Sequence, residues 1–142
     1  MGIGMFYNDM VTLFNRFCDP ETEKERYYPT LLEHVNLVER RGTETSKSGT
    51  DSVNAATLFI DITNMPKPYM EPKQWEALSD DEKENYITFT PGEDFFIKGS
   101  CTGATESGQD YEWMKANFDG VYKVTHVDKF ENIMPHFEVG GV

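Results

Sequence analysis

Apolar residues in this chain recur at every second position in short runs, and each run is cut by a turn signal. Leu58, Ile60 and Ile62 alternate with Phe59 on the opposite side, Tyr86 to Thr90 reads YITFT, and Val121 to Val127 repeats the pattern. Asp19-Pro20, Pro91-Gly92, Asp119-Gly120 and Gly140-Gly141 punctuate them. A period of two puts one side of an extended strand against a core, whereas a helix needs apolar residues three and four apart. Parallel strands need long, usually helical, crossovers, and no strand–helix–strand rhythm is present. A mostly antiparallel arrangement is therefore the economical one.

The individual segments follow from that pattern. Asp9 to Phe17 opens with Val11, Thr12, Leu13, Phe14 and Phe17, a strand composition whose spacing also permits a short helix. The charged run Glu21 to Arg26 reads as a solvated turn. Tyr27 to Arg41 alternates through Tyr28, Thr30 and Leu32 and, past a one-residue slip, Val35, Leu37 and Glu39. Gly42 to Ser52 is a long polar loop, and Val53 to Thr63 is the next strand.

Residues 65–86 change character. Prolines 66, 68 and 72 forbid regular structure at first. Pro72 then suits the first turn of a helix over Lys73 to Leu78, with Trp75 and Leu78 on one face. Ser79 and Glu82 have capping-box spacing, and Trp75 is expected to anchor this insert on the outside of a sheet. A hairpin is expected from Tyr86 to Lys98 around Pro91-Gly92. Gly99 to Gln109 reads as a loop, and Asp110 caps a brief helix with Tyr111, Met114 and Phe118 on one side. In the following strand, Val121, Lys123, Thr125 and Val127 face one way and Tyr122, Val124 and His126 the other. Pro135 to Val139 closes the chain. The expected fold is mainly β: one domain over 1–142, a small antiparallel β-barrel or sandwich of about six to eight strands with short helical insertions.

At 142 residues the chain is long enough for its own core, and ten Phe, seven Tyr and two Trp supply large side chains to fill it. A net charge of −12 argues against a binder of duplex DNA or of an anionic membrane, both of which need basic patches. No apolar run approaches the ~20 residues that span a bilayer as a helix. Met1 to Met10 lacks the basic start and apolar centre of a signal peptide. Cys18 and Cys101 are expected as free thiols in a reducing compartment.

Candidate chemistry is sparse. His126 with Asp128, and His136 with Glu138, would form a metal site if their strands were neighbours, although metal-ligand spacings of known motifs are absent. Structural histidines are the preferred reading. Cys18 lies beside Asp19, whose charge disfavours a thiolate, and Cys101 has no basic neighbour closer than Lys98. Asp80-Asp81-Glu82 and Glu93-Asp94 lack the alternating ligand pattern of a calcium loop. No enzyme activity and no cofactor are expected. The aromatic pairs Phe6-Tyr7, Tyr27-Tyr28 and Phe95-Phe96 present side chains to both faces of a strand. One member of each is expected in the core and the other at a partner subunit, with Trp75 as a further interface candidate.

Five stretches carry a resemblance: YNDMVTLFNRF (Tyr7 to Phe17), YYPTLLEHVNL (Tyr27 to Leu37), PKQWEAL (Pro72 to Leu78), ITFTPGEDFFIKG (Ile87 to Gly99), and VYKVTHVDKF with MPHFEVGG. In this order they resemble a family of small proteins of tailed bacteriophages and prophages of gut Firmicutes, encoded among head–tail genes. The C-terminal half is similar to head-closure (stopper) and head–tail joining proteins, on Gly92-Glu93-Asp94-Phe95 and His136-Phe137-Glu138-Val139. The insert over 65–86 departs from that pattern and leaves a tail terminator or another tail-side protein as the alternative.

The resemblance implies a virion neck component assembled in the host cytoplasm. It would form a homo-oligomeric ring between portal or adaptor and tail proteins, around DNA that passes without sequence-specific binding, and away from any membrane. An acidic wall keeps phosphates from adhering. The polar loop, with Thr43, Glu44, Thr45, Ser46, Lys47, Ser48 and Gly49 at its centre, is the candidate gate in that channel. A small metal-dependent enzyme using His126, Asp128, His136 and Glu138 is the reading from another class.

Overall fold

The computed structural model describes residues 8–18, 25–40, 56–100, 111–132 and 134–142. Six strands form a closed antiparallel barrel: β1 (Asp9–Cys18), β2 (Glu25–Glu39), β3 (Ala56–Asp61), β4 (Phe95–Lys98), β5 (Val121–Phe130) and β6 (His136–Gly141). The order around the barrel is β1-β2-β3-β6-β5-β4, with β4 returning to β1. Closure leaves no free sheet edge. Among the described residues three short α-helices decorate it, α1 (Pro72–Glu76), α2 (Asp80–Lys83) and α3 (Tyr111–Asn117), with a 3-10 turn at Ile62–Asn64.

The barrel interior is filled by the apolar sets that the alternation marks. Val11 and Leu13 of β1, Leu32 and Val35 of β2, and Leu58 and Ile60 of β3 meet Phe96, Val124, Phe137 and Val139 there. β1 is a strand, not a helix, and its residues 11–15 are all buried because both of its faces are covered. Its outward Phe14 joins Tyr27, Phe95, Ile97 and Val121 in a second apolar cluster, which α3 seals with Met114. The slip between Leu32 and Val35 is a β-bulge. Asp9 pairs with Val35 and Met10 with Glu33, which leaves His34 as the extra residue at φ 58. A bulge residue in that conformation restores Val35 to the inner face.

Three local expectations are corrected. Residues 86–90 do not form a hairpin with β4: Ile87 bridges in parallel to Tyr69, while β4 pairs with β1 and β5. The Pro91-Gly92 turn is present, held by Glu93 N–H and Asp94 N–H donating to the Thr90 carbonyl, but it leads into a barrel strand. Val127 packs with Val124 against the interior, because a second bulge at Thr125 shifts the register between Val124 and His126. Ser79 caps α2 by position, yet its hydroxyl meets the Glu82 carboxylate instead of the backbone, so the capping box is not formed.

The insert fulfils its expected placement. Pro72 begins α1, and Trp75 is 1% exposed, edge-on to Tyr28 of β2 at 6.2 Å. The Trp75 indole N–H is shared between the carbonyls of Lys83 and Tyr86, which satisfies the polar tip of a buried ring.

Candidate functional site

Two places on the barrel concentrate polar chemistry. The first is a buried node where β1 meets the turn before β4. Asn15 donates its side-chain amide to the Thr88 carbonyl at 2.6 Å and to Asp94 Oδ2 at 2.9 Å. Asp94 also accepts from the Arg16 backbone N–H at 2.9 Å and from the Thr90 N–H at 2.8 Å. Removal from water pushes the Asp94 carboxyl up to about 7, against the opposing pull of those three donors. Arg16 reaches outward to Glu93 and covers the node from solvent. Asp94 is buried, and these bonds tie the 88–94 segment to β1.

The second place is the outward face of β3, β6 and β5. Asp61 lies opposite His136, which lies opposite Phe130; Phe59 lies opposite Glu138, which lies opposite Asp128. His126 and His136 are thus two residues either side of the Asp128–Glu138 pair, so the strands carrying the four metal candidates are neighbours. The side chains nonetheless do not converge. His136 Nδ1 lies 2.8 Å from the Met134 carbonyl and Nε2 lies 3.0 Å from Glu138 Oε2. Each ring nitrogen therefore faces an acceptor, which requires two N–H groups and holds the imidazole above its ordinary pKa. His126 lies flat over Gly140, where a Cβ would come within 2.3 Å of its Cε1. Among the described residues, no group of three or more His, Cys, Asp or Glu side chains is placed to hold a metal ion. The four residues that would form a metal site in the less favoured reading are thus a His136–Glu138 pair, with His126 and Asp128 apart from it.

The interface candidates divide. Tyr27 is the buried member of its pair, whereas Phe95 and Phe96 are both buried, one in each core, which leaves no exposed member of that pair; Trp75 is buried under the insert. Tyr28 is half-buried, stacked on Phe17 at 4.5 Å, and donates its hydroxyl to the Asp80 carbonyl. Phe6, Tyr7 and the gate residues Thr43 to Gly49 lie outside the described residues, as does Cys101. Cys18 is a free, exposed thiol.

Two features escaped the sequence reading. The Asn15–Asp94 node had one signal, a lone amide inside the apolar run of β1, because a polar side chain in such a run must find an internal partner. The other is a cavity of about 360 Å³ lined by Ile62, Met65, Tyr69, Phe137, Lys67 and Lys129. Its residues come from segments far apart in sequence, and only barrel closure assembles them. No helix among the described residues is long and apolar enough to cross a membrane. No curated protein and no solved structure matches the chain. Residues 6–142 match DUF6751, a family of unknown function, and the chain belongs to that family.

Proposed function

We propose that this protein is a structural virion component of a tailed phage, a head-closure (stopper) ring that joins the portal side to the tail and gates the DNA channel. The reading rests on the segment resemblance to head–tail proteins, and one observation carries it further. Glu39 at the end of β2 pairs directly with Ala56 at the start of β3, so residues 41–55 leave and re-enter the barrel at adjacent points. A two-residue turn closes a pair in that register. The polar segment between them is longer than such a turn, and a channel-closing role would account for its length and composition. The net charge of −12 favours passage of DNA over adhesion.

Electron cryo-microscopy of tailed particles that carry this chain tests the assignment. A ring of density at the head–tail junction, fitted by this barrel, supports it, and deletion of residues 42–52 should then yield heads that leak DNA. Density at the tail tube or tip would replace the neck reading with the terminator or tail-side alternative. Particles that lack the polypeptide altogether would end the virion reading.

A further inference from the structure

The connection between β5 and β6 is strained at one residue. Met134 has φ 64, a left-handed conformation that glycine and asparagine adopt readily and a long apolar residue does not. His34, the other non-glycine residue described with positive φ, sits inside a strand that pairs on either side of it. Met134 has no such support, because it lies beyond Phe130 and His136, the last pair of the ladder. Two bonds hold its turn. The Met134 carbonyl lies 2.8 Å from His136 Nδ1, and the next carbonyl, of Pro135, accepts from the Ile62 N–H at 3.3 Å.

His136 can bond both Met134 and Glu138 only as an imidazolium, since a neutral ring carries one N–H. With that hydrogen on Nδ1, the bare Nε2 faces a carboxylate at 3.0 Å. With it on Nε2, the bare Nδ1 faces the Met134 carbonyl. Either tautomer sets a lone pair against an acceptor. The ring is also held in place, stacked on Phe130 at 4.9 Å and tilted to Phe59 at 6.3 Å, so it is not free to turn away. A cation over an aromatic face is favoured as well. The charges that face the ring are Glu138 on its own strand and Asp61 opposite it on β3, and both favour the proton. Asp128 and His126 on β5 lie further along the same face, opposite Glu138 and Gly140. Lys129 lies over Tyr69 and Phe137 on the other side of the sheet, paired with Glu131.

We propose that His136 is a pH-operated latch on the β5–β6 turn: its imidazolium pins the strained Met134, and loss of one N–H releases it. The sign follows from the two acceptors. The charged ring is favoured in the fold, so the latch is closed in mild acid and opens as pH rises through the folded value of His136. Once the Met134 carbonyl is unheld, its left-handed backbone has one fewer constraint and relaxes. Phe130 and Met134, 43% and 45% exposed, flank that turn. The latch therefore decides whether these two apolar side chains are shown in one fixed arrangement or in many. It belongs to the isolated chain and is independent of the virion reading.

Nuclear magnetic resonance of the full chain is the test. Both ring nitrogens of His136 should carry a proton at about pH 6, with a titration midpoint above 6.5. Hydrogen exchange at the Phe130 and His136 amides should lose at least about threefold in protection between about pH 6 and about pH 8.5. His136→Gln should show no such step, and it shares with the wild type whatever Asp94 contributes. Met134→Asn should stay protected at both pH values, because asparagine holds a left-handed turn without the latch. Glu138→Gln should stay protected too: its amide donates to a bare Nε2 and leaves the Nδ1–H for Met134. A midpoint at or below 6.5, equal protection of the wild type at both pH values, or an undiminished step in any of the three variants overturns the proposal. Should one variant fail to fold by circular dichroism, the other two against wild type decide.

Discussion

The barrel has two outer faces built from the same alternating strands, and they have opposite fates. On β1 and β4 the outward Phe14, Phe95 and Ile97 are buried, because α3 brings Met114 and Tyr111 across them. On β3, β6 and β5 the outward Phe59, Asp61, His136 and Glu138 stay half-buried, and Asp128 and Phe130 are exposed. A strand's period sorts side chains into two faces; whether the outer face becomes a second core depends on what a distant segment lays over it. The largest contrast should therefore come from truncating one aromatic on each face. Phe95→Ala removes a ring stacked on Phe14 at 4.8 Å and edge-on to Tyr27 at 5.1 Å, and should cost about 3–5 kcal/mol. Phe130→Ala should stay within about 0.5 kcal/mol in the monomer. Urea unfolding of both variants checks the difference, and equal losses would mean that the second face is covered too.

That dependence on distant segments also sets how much was legible beforehand. The inner face of β2 and β3 could be read from spacing alone, including the one-residue slip that is the bulge at His34, whereas the spacing of β1 also fitted a short helix. The bulge at Thr125 leaves no such mark. Val124, Thr125 and Val127 are all β-branched, so a regular and a bulged strand look alike. The hairpin over Tyr86 to Lys98 failed for a related reason. Pro91-Gly92 is a local turn signal, but which strand pairs with which is settled by closure between β1 and β5. The aromatic pairs misled because Phe95 and Phe96 feed two different cores, one on each side of the same strand.

Each face also holds one ionisable group above its ordinary pKa, for opposite physical reasons. Burial does it to Asp94 on the covered side, and two hydrogen-bond acceptors do it to His136 on the open side. Asp94 has the larger consequence. Its carboxyl titrates near 3.8 in the unfolded chain and near about 7 in the fold, so the native state holds a proton that the unfolded state has lost. Its stabilising contribution is complete below 3.8 and disappears as pH rises to about 7, at a slope of at most about 1.4 kcal/mol per pH unit. Asp94→Asn should flatten the stability profile across that window. It should also cost about 1–3 kcal/mol at acid pH, because an amide cannot accept from Arg16, Thr90 and Asn15 as a carboxyl group does. An unchanged slope in chemical denaturation between pH 4 and 7 would mean that another group controls it.

His136 works in the same direction with less weight. A raised histidine pKa means that its charged form is favoured in the fold, so its contribution is complete below 6.5 and vanishes as pH rises through the folded value. The window thus begins where that of Asp94 is closing, and the two can be separated. The side chains of His136 and Glu138 are 21% and 34% exposed, so solvent and salt screen the pair to under about 1 kcal/mol. His136→Gln keeps a donor for one acceptor and removes the titration. It should leave the profile below pH 6 intact, flatten it above pH 6.5, and lose its effect at about 1 M salt, where the screening length is about 3 Å. Asp94→Asn should be indifferent to the same salt, since an enclosed carboxyl is screened far less. Salt sensitivity in both variants would place Asp94 in contact with solvent and make the two faces alike; insensitivity in both would mean that the His136–Glu138 pair is more enclosed than its exposure indicates.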